Sequence, residues 1–447
     1  MAYASIVEPM ISNWAARESA RGVRSEKTAI VSSVLFSGLG AVIYIVAAFF
    51  IGRKVDVDQT ALFFGCILIP AIYVNRIFTA INLGWKPHVA SYGQLSFAIT
   101  EIILGIVLVH FFHLKIYGVI VTVLLAYIVS IVILGAFSKE RIKGKLKREF
   151  LEKWLRLSWL QVYQTIGNII PSFDVTIFSV LTGSVIGLAF WSAAGVMTNF
   201  VKNSSPLILV ANSKLLQGGN SEYLRETLTQ FFYFSILFTS LAITFAKQGL
   251  FMLNPLYQTA VPIVIIMSVQ SFLNNLASSI LILITGVEKV DLDEKASFRD
   301  YFKSKLTFVS TFFLIQSAVY VIMLSIGLML FMTSTNSRTD LLIYWSIIAL
   351  ISQTPFTIYS IILLRKHIGI MPDSASIIKY LLSSCLSFGL AYLLMNKFLI
   401  YKNNVFDFFP NLALFIGIGI GAYLIITYLI DKRTKLLFSA IINEFLP

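Results

Sequence analysis

Long apolar runs dominate this chain, and short polar segments separate them. Each run has about 20 residues, the length of an α-helix that crosses the hydrocarbon core of a bilayer. Every backbone polar group inside lipid must be paired within the protein, so runs of this length predict helices and exclude strands. The pattern predicts an all-α integral membrane protein with about twelve spans, near residues 28–51, 60–82, 89–112, 116–137, 157–181, 184–212, 227–252, 258–285, 308–333, 341–364, 377–400 and 411–430.

The polar segments between the runs alternate in charge. Lys and Arg are concentrated in the N-terminal segment, in every second segment after it and in the C-terminal tail. Cytoplasmic loops of membrane proteins are enriched in Lys and Arg. We therefore predict a multi-pass protein of the cell membrane with both termini cytoplasmic. The most basic segment, residues 138–156, is predicted to be a cytoplasmic connector with a helix at the membrane interface.

Composition narrows the function classes. The chain is 57% hydrophobic and 13% charged, whereas soluble proteins are about 25% charged, so lipid is the predicted solvent for most of the surface. The net charge of +13 lies in separated loops and forms no continuous basic face, so we expect no nucleic-acid partner. The two cysteines have no metal-ligand spacing, and we predict no metal and no cofactor.

Two short matches indicate an internal repeat. The tripeptide QTA opens a span at residues 59–61 and again at 258–260, an offset of 199, and Ser-Glu pairs at 25–26 and 221–222 are offset by 196. Six spans separate the equivalent positions, so the two copies point the same way, as in transporters with parallel repeats. The connector at 138–156 then joins two bundles as a hinge, although an ordinary basic loop explains its charge equally well.

The repeat and the spans divide the chain into five parts. They are an N-terminal cytoplasmic segment (1–27), a first lobe of four spans (28–137), the connector (138–156), a second lobe of six spans (157–364), and an extra helix pair with a cytoplasmic tail (365–447).

Three segments resemble a known family. They are ISNWAARESARGVRSEKTAIVSS at 11–33, SFDVTIFSVLTGSVIGLAFWSAAGVM at 172–197 and LNPLYQTAVPIVIIMSVQSFLNNLASSILILITGVEK at 253–289. They are similar to segments of the polysaccharide transporter branch of the multidrug/oligosaccharidyl-lipid/polysaccharide exporter superfamily. The resemblance implies fourteen helices, in groups of six, six and two. Our first lobe has only four spans, so we expect either a chain that lacks the first two helices or a twelve-helix member with unequal lobes.

Four charged residues are predicted inside spans, where a charge is costly and is a functional candidate. Arg76 and Lys202 lie toward the cytoplasmic ends of their spans. Both either bind the diphosphate of a lipid-linked substrate or have a structural role, in which Arg76 extends to lipid head groups and Lys202 pairs with a carboxylate. Glu101 either neutralises Arg76 or carries a coupling ion. Asp174, three residues after Pro171, is a gating or coupling candidate, or it is satisfied by backbone at the kink.

Two stripes of amide side chains are also predicted within spans. Each repeats at intervals of three and four residues, so each shares one helix face. Such stripes form interhelical hydrogen bonds or line a cavity for sugar hydroxyls. The first stripe is Gln161, Gln164 and Asn168; the second is Asn199 and Asn203, which flank Lys202.

These observations, with the resemblance, predict a flippase that moves a lipid-diphosphate-linked oligosaccharide across the membrane by alternating access. Membrane lipids are expected partners, and coupling to protons or sodium ions is compatible with the sequence but not required by it. The first alternative is a cation-coupled multidrug antiporter of the same superfamily. A membrane-embedded glycan polymerase or ligase is a further alternative, although no catalytic motif is recognisable.

Overall fold

The computed structural model describes residues 7–54, 59–182, 186–216, 221–290, 297–332, 338–402 and 404–445. All regular structure in these residues is helical, which confirms the predicted fold class. The helices of the first half are α1 (Pro9–Ala20), α2 (Glu26–Lys54), α3 (Gln59–Phe64), α4 (Leu68–Trp85), α5 (Pro87–Gly105), α6 (Lys115–Ile142), α7 (Arg148–Arg156), α8 (Ser158–Ile169), α9 (Phe173–Thr182), α10 (Ile186–Thr198) and α11 (Pro206–Leu216). Those of the second half are α12 (Ser221–Thr244), α13 (Ala246–Leu253), α14 (Val261–Gly286), α15 (Phe298–Lys303), α16 (Lys305–Met332), α17 (Arg338–Ile368), α18 (Ser374–Phe398), α19 (Val405–Ile430) and α20 (Lys432–Phe445).

Within the described residues, eleven helical segments are long and apolar enough to cross a membrane. The chain is therefore a multi-pass membrane protein, with one such segment fewer than the pattern predicts. The predicted span 184–212 is the one that differs, because it consists of α10 and α11 joined by a 3₁₀ turn over Asn199–Ser204. Pro206 contributes to the break, since its backbone nitrogen carries no hydrogen and cannot donate to a carbonyl of the preceding turn.

The chain divides into two compact units. The first contains Met1–Ile166, Asn212–Gly219 and Lys295–Thr311, and the second contains Gly167–Ala211, Asn220–Glu294 and Phe312–Pro447. These units alternate along the sequence, whereas the predicted lobes are continuous. The predicted lobe boundaries and the repeat remain predictions.

Helices α1 and α4 form the centre of the first unit. They pack so closely that a Cβ on Gly84 would lie 2.4 Å from the carbonyl oxygen of Ala16. Tyr73 and Ile77 of α4 are fully buried beside them. A larger residue at 84 would therefore push the two helices apart.

Connector helix α7 packs within the first unit. Trp154 is buried and donates to Glu18 Oε1 at 3.2 Å, and Lys153 Nζ lies 3.5 Å from the same oxygen. Burial raises the pKa of Glu18, although Lys153 and the hydrogen bonds partly oppose this effect. The connector was predicted to contain a helix at the membrane interface, and Trp154 of this helix contacts protein. The hinge role of the connector remains a prediction.

Two aromatic clusters form the core of the second unit. One is centred on Trp345 of α17 and packs α9, α10, α14 and α16 together. The other joins α12 to α18 and α19, because the ring of Tyr233 contacts the rings of Tyr380 and Tyr423. The C-terminal helix pair is therefore an integral part of the second unit.

Candidate functional site

A polar cavity of about 290 Å³ lies inside the second unit. Five helical segments line it, and its apolar wall includes Trp191 and Met267. Its polar side chains include Asp174, Thr198, Asn199, Lys202, Gln270, Ser271, Asn274, Gln316, Ser317, Tyr320, Ser352 and Gln353.

The lining follows from helical periodicity. In the α10 segment the lining positions are 191, 195, 198, 199 and 202, and in α14 they are 267, 270, 271 and 274. Steps of three and four residues lie on one helix face. Each of these helices therefore turns one partly polar face inward, while residues such as Val196 and Ile265 on other faces are exposed.

The break between α10 and α11 places Lys202 beside Asn199. A 3₁₀ turn has three residues per turn, so residues i and i+3 are stacked, and Lys202 Nζ donates to Asn199 Oδ1 at 3.1 Å. Asn203 is four residues from Asn199 and falls off this face; it is exposed and does not line the cavity. Of the three residues predicted to share this face, Asn199 and Lys202 therefore line the cavity and Asn203 does not.

Asn275 of α14 stabilises the break. Its amide donates to the carbonyl of Val201 at 3.2 Å and to Ser204 Oγ at 2.8 Å, and Ser204 in turn bonds Ser235. An interrupted membrane helix needs such partners because its freed backbone groups cannot reach water. Asn275 is thus structural, whereas its neighbour Asn274 faces the cavity.

A hydrogen-bonded chain of three side chains holds Asp174. Tyr320 donates its hydroxyl to Asp174 Oδ2 at 2.9 Å, and the fully buried Trp345 donates its indole N–H to Tyr320 Oη at 2.8 Å. Asp174 Oδ1 accepts from the backbone N–H of Val175. The 3₁₀ turn Ile170–Ser172 precedes the residue, which agrees with the break predicted at Pro171. All partners seen for this carboxylate are neutral.

Stacked indoles form the wall next to this chain. The rings of Trp191 and Trp345 lie 3.8 Å apart at an interplanar angle of 14°, and Phe178 stacks on the other side of Trp345. Trp191 is half-buried and lines the cavity, while Trp345 is fully buried behind it. The site therefore combines a carboxylate with a rigid aromatic surface, the two features that attract organic cations.

An amide pair also lines the cavity. Gln316 Nε2 donates to Gln353 Oε1, and Gln353 Nε2 donates to Thr357 Oγ1 at 3.2 Å. The remaining carbonyl oxygen, Gln316 Oε1, is buried and has no donor among the described residues. It is an acceptor available to a ligand that carries an O–H or N–H group.

The first predicted amide stripe lies elsewhere. Gln161 is buried in the first unit and accepts a hydrogen bond from Asn13 Nδ2 at 2.6 Å. Gln164 is half-buried in the same unit, and Asn168 is exposed on the same helix. None of the three lines this cavity, so the structure supports a packing role for Gln161.

Arg76 and Glu101 both lie in the first unit but do not pair. Arg76 Nη1 instead contacts Glu8 Oε2 at 3.2 Å, with half of the Arg76 side chain exposed. Glu101 is exposed on α5, and no ion pair joins it to Arg76 within the described residues. The predicted Arg76–Glu101 pair is therefore wrong, because a residue near the N-terminus supplies the partner.

Sequence reasoning missed several lining residues, namely Trp191, Gln316, Tyr320, Ser352 and Gln353. Gln316 and Gln353 stand beside a serine or threonine, and Tyr320 stands alone in an apolar run, so none of them belongs to a stripe of amide side chains. The signal that existed was periodic: Gln316 and Tyr320 are four residues apart, as are Gln353 and its partner Thr357.

Solved structures share this architecture. A MATE transporter in the straight conformation aligns over 83% of this chain and 86% of its own, with a TM-score of 0.58 and 14% identity. An outward-facing multidrug resistance MATE family transporter of the MOP superfamily aligns over the same shares, with a TM-score of 0.57 and 13% identity. The chain has the MATE transporter fold.

The MATE transporter VcmN of Vibrio cholerae, in its bent form, gives a similar result: 12% identity and a TM-score of 0.58 over 82% of this chain and 86% of that one. No protein-family model and no curated protein matches the sequence. At such low identity the likeness shows the MATE fold alone. It agrees with the predicted helical fold and does not bear on the polysaccharide branch.

Proposed function

We propose that this chain is a membrane exporter that works by alternating access and that the polar cavity of the second unit receives part of its substrate. The MATE fold supports the transport mechanism. The chemistry of the cavity supports the choice of substrate, because the cavity wall presents one carboxylate, one ammonium group, several amides and an aromatic surface to a ligand.

The best-supported substrate is an amphipathic organic cation, as in multidrug export. One observation carries this choice: Asp174 and Trp191 line the same cavity, and Asp174 has only neutral partners among the described residues. A carboxylate without a cationic partner attracts a cationic ligand, and the indole face adds a cation–π contribution. The description of a neighbour as a multidrug transporter agrees with this substrate.

The second candidate is a lipid-linked oligosaccharide. Lys202 and the amides of Asn199, Gln270 and Asn274 favour it, because they match a phosphate and sugar hydroxyls. Its weaker point is Arg76, the predicted second diphosphate ligand, which is paired with Glu8 in the first unit.

Asp174 is our candidate for ion coupling. A carboxylate in a small cavity can hold either a cation or a proton, and competition between the two couples substrate release to an ion gradient. The Tyr320 hydroxyl orients the carboxylate for both ligands. Under this proposal Glu101 has no role in coupling.

Transport in proteoliposomes tests both candidates side by side. The substrates are ethidium, driven by a pH or sodium gradient, and a fluorescent polyprenyl-diphosphate oligosaccharide scored by leaflet exchange. We expect gradient-driven ethidium transport that Asp174→Asn reduces about tenfold, equivalent to about 1.4 kcal/mol. Lys202→Gln should affect ethidium little.

The matched controls are Asp407→Asn and Lys366→Gln, which remove exposed charges outside the cavity. Oligosaccharide exchange that depends on Lys202, without ethidium transport, would instead support the flippase. If Arg76→Gln also abolishes that exchange, the diphosphate model with Arg76 and Lys202 regains its basis. Transport of neither substrate, or transport insensitive to both cavity variants, would reject the proposed site.

A further inference from the structure

The second unit contains another cavity, which shares no lining residue with the polar cavity described above. It has a volume of about 500 Å³ and lies where α12, α13 and α14 meet α18 of the C-terminal helix pair. Its lining on α18 runs from Ser384 to Asn396 along one face, and on α12 from Ser240 to Thr244. Both helices reach it with their C-terminal halves, so it lies nearer to the ends of α12 and α18 than to their starts.

One end of this cavity is polar. Lys247 lies just beyond the end of α12 and is exposed, with its ammonium group 5.8 Å from the ring of Tyr401. Gln248 is only 2% exposed and donates through Nε2 to Tyr401 Oη at 3.1 Å. Among the described residues, nothing donates to its other amide atom, Oε1. The polar end therefore offers a cation and an unused buried acceptor.

The other end is apolar and open. Val261, Ile265 and Phe388 line it, and a Cβ on Gly389 would meet no heavy atom within 4 Å. The twelve steps from Ser384 to Asn396 span about 18 Å at the rise of an α-helix. Half of the hydrocarbon core of a bilayer is about 15 Å thick. The groove is thus about as long as one leaflet is deep.

We propose that this groove binds an anionic glycerophospholipid whose head group carries hydroxyls. The phosphate pairs with Lys247, a head-group hydroxyl donates to Gln248 Oε1, and one acyl chain lies in the space beside Gly389. Charge complementarity places the phosphate at the helix ends. The acyl chain then follows the apolar lining of the groove toward mid-membrane. The site lies outside the transport cavity and does not depend on the proposed substrate.

Native mass spectrometry of the full chain in detergent tests the proposal with three lipids of identical acyl chains. We expect phosphatidylglycerol to bind about tenfold more tightly than phosphatidylcholine. Phosphatidylmethanol has the same charge without free hydroxyls and should bind more weakly than phosphatidylglycerol. Glycerol 3-phosphate, a free head group, should not compete. Equal affinity for phosphatidylglycerol and phosphatidylcholine would overturn the site, and equal affinity for phosphatidylmethanol would overturn the Gln248 contact.

Two variants address the two ends. Lys247→Gln should bring phosphatidylglycerol binding to the phosphatidylcholine level, whereas Lys397→Gln, on α18 but outside the lining, should not. Gly389→Leu should block the acyl chain and abolish binding, whereas Gly417→Leu, at an equally open glycine on α19, should leave it intact. Leucine favours helix over glycine, so both glycine variants are expected to fold. Unchanged binding in Gly389→Leu would refute the groove as the lipid site.

Discussion

Two arginines on long helices of the first unit and the two charges that line the polar cavity of the second unit have different kinds of partner. In the first unit, Arg141 of α6 contacts Glu26 at 3.0 Å and Arg76 of α4 contacts Glu8 at 3.2 Å. In the second unit, the partners seen for Asp174 are a tyrosine hydroxyl and a backbone N–H, and the one for Lys202 is an asparagine. Both of these charges line a cavity, so the second unit holds the charges that a ligand can use.

This difference shows why a charge within a span does not by itself mark a transport site. A buried ion pair satisfies both members and leaves little field for a ligand. A charge held by neutral donors and acceptors keeps most of its attraction for an opposite charge. We therefore expect the loss of a carboxylate held in a buried ion pair, such as Glu26, to change stability, and the loss of the cavity carboxylate Asp174 to change transport.

The largest expected effect is the loss of Glu26. Glu26 is 1% exposed and Arg141 16% exposed, so Glu26→Ala should cost about 3–5 kcal/mol by leaving a buried cation unpaired. Thermal unfolding followed by size-exclusion chromatography measures this loss. Glu152→Ala, which breaks the exposed pair with Arg148, is the control and should show no measurable change. A stable Glu26→Ala variant without transport would reverse the comparison.

Asn275 and Asn274 test the same division inside the second unit. Asn275→Ala leaves the carbonyl of Val201 and the hydroxyl of Ser204 without this donor and should cost about 1–3 kcal/mol. Asn274→Ala removes only a cavity-lining amide and should alter substrate affinity at nearly unchanged stability. Unfolding temperature and transport KM, measured on both variants, separate the two roles. Equal destabilisation by both would show that the cavity wall itself is structural.

The fold was predictable because lipid imposes a strong pattern. Spans such as α6 and α16 are long apolar runs without a break, and the charged loops beside them mark where these helices begin and end. The interrupted span was predicted as continuous because the 3₁₀ turn Asn199–Ser204 is short. The side chain that stabilises this turn by hydrogen bonds is Asn275, 71 residues away from Ser204. Such a tertiary hydrogen bond leaves no local signal.

The candidate site was only partly predictable for the same reason. Asp174, Asn199 and Lys202 were found because a polar group in an apolar helix stands out. The partners that give them their chemistry, Tyr320 and Trp345, lie on other helices and look like ordinary core residues in the sequence. Arg76 shows the converse, since its charge was visible but its neutralisation by Glu8 was not.

Tyr320→Phe tests whether the hydrogen-bonded chain orients Asp174. The variant removes one hydroxyl that both accepts from Trp345 and donates to Asp174, and it should cost about 0.5–1.5 kcal/mol of stability. Its effect on transport should resemble a weaker form of Asp174→Asn. A double variant measures the coupling: once Asp174 is Asn, the Phe substitution should change transport little further. Fully independent effects would show that Tyr320 acts through packing alone.

The smallest expected effect is that of Glu101→Gln, the variant most able to break the comparison. Glu101 is exposed on α5, and no ion pair to it is seen in the described part of the chain, so neutralising it removes no buried interaction and stability should not fall. Because the coupling carboxylate is assigned to Asp174, the dependence of transport on the ion gradient should also be unchanged. The measurement is ethidium transport at several gradient sizes, with Asp174→Asn in parallel. If Glu101→Gln uncouples transport from the gradient while Asp174→Asn does not, coupling belongs to the first unit, and neutral partners no longer distinguish a functional charge from a structural one.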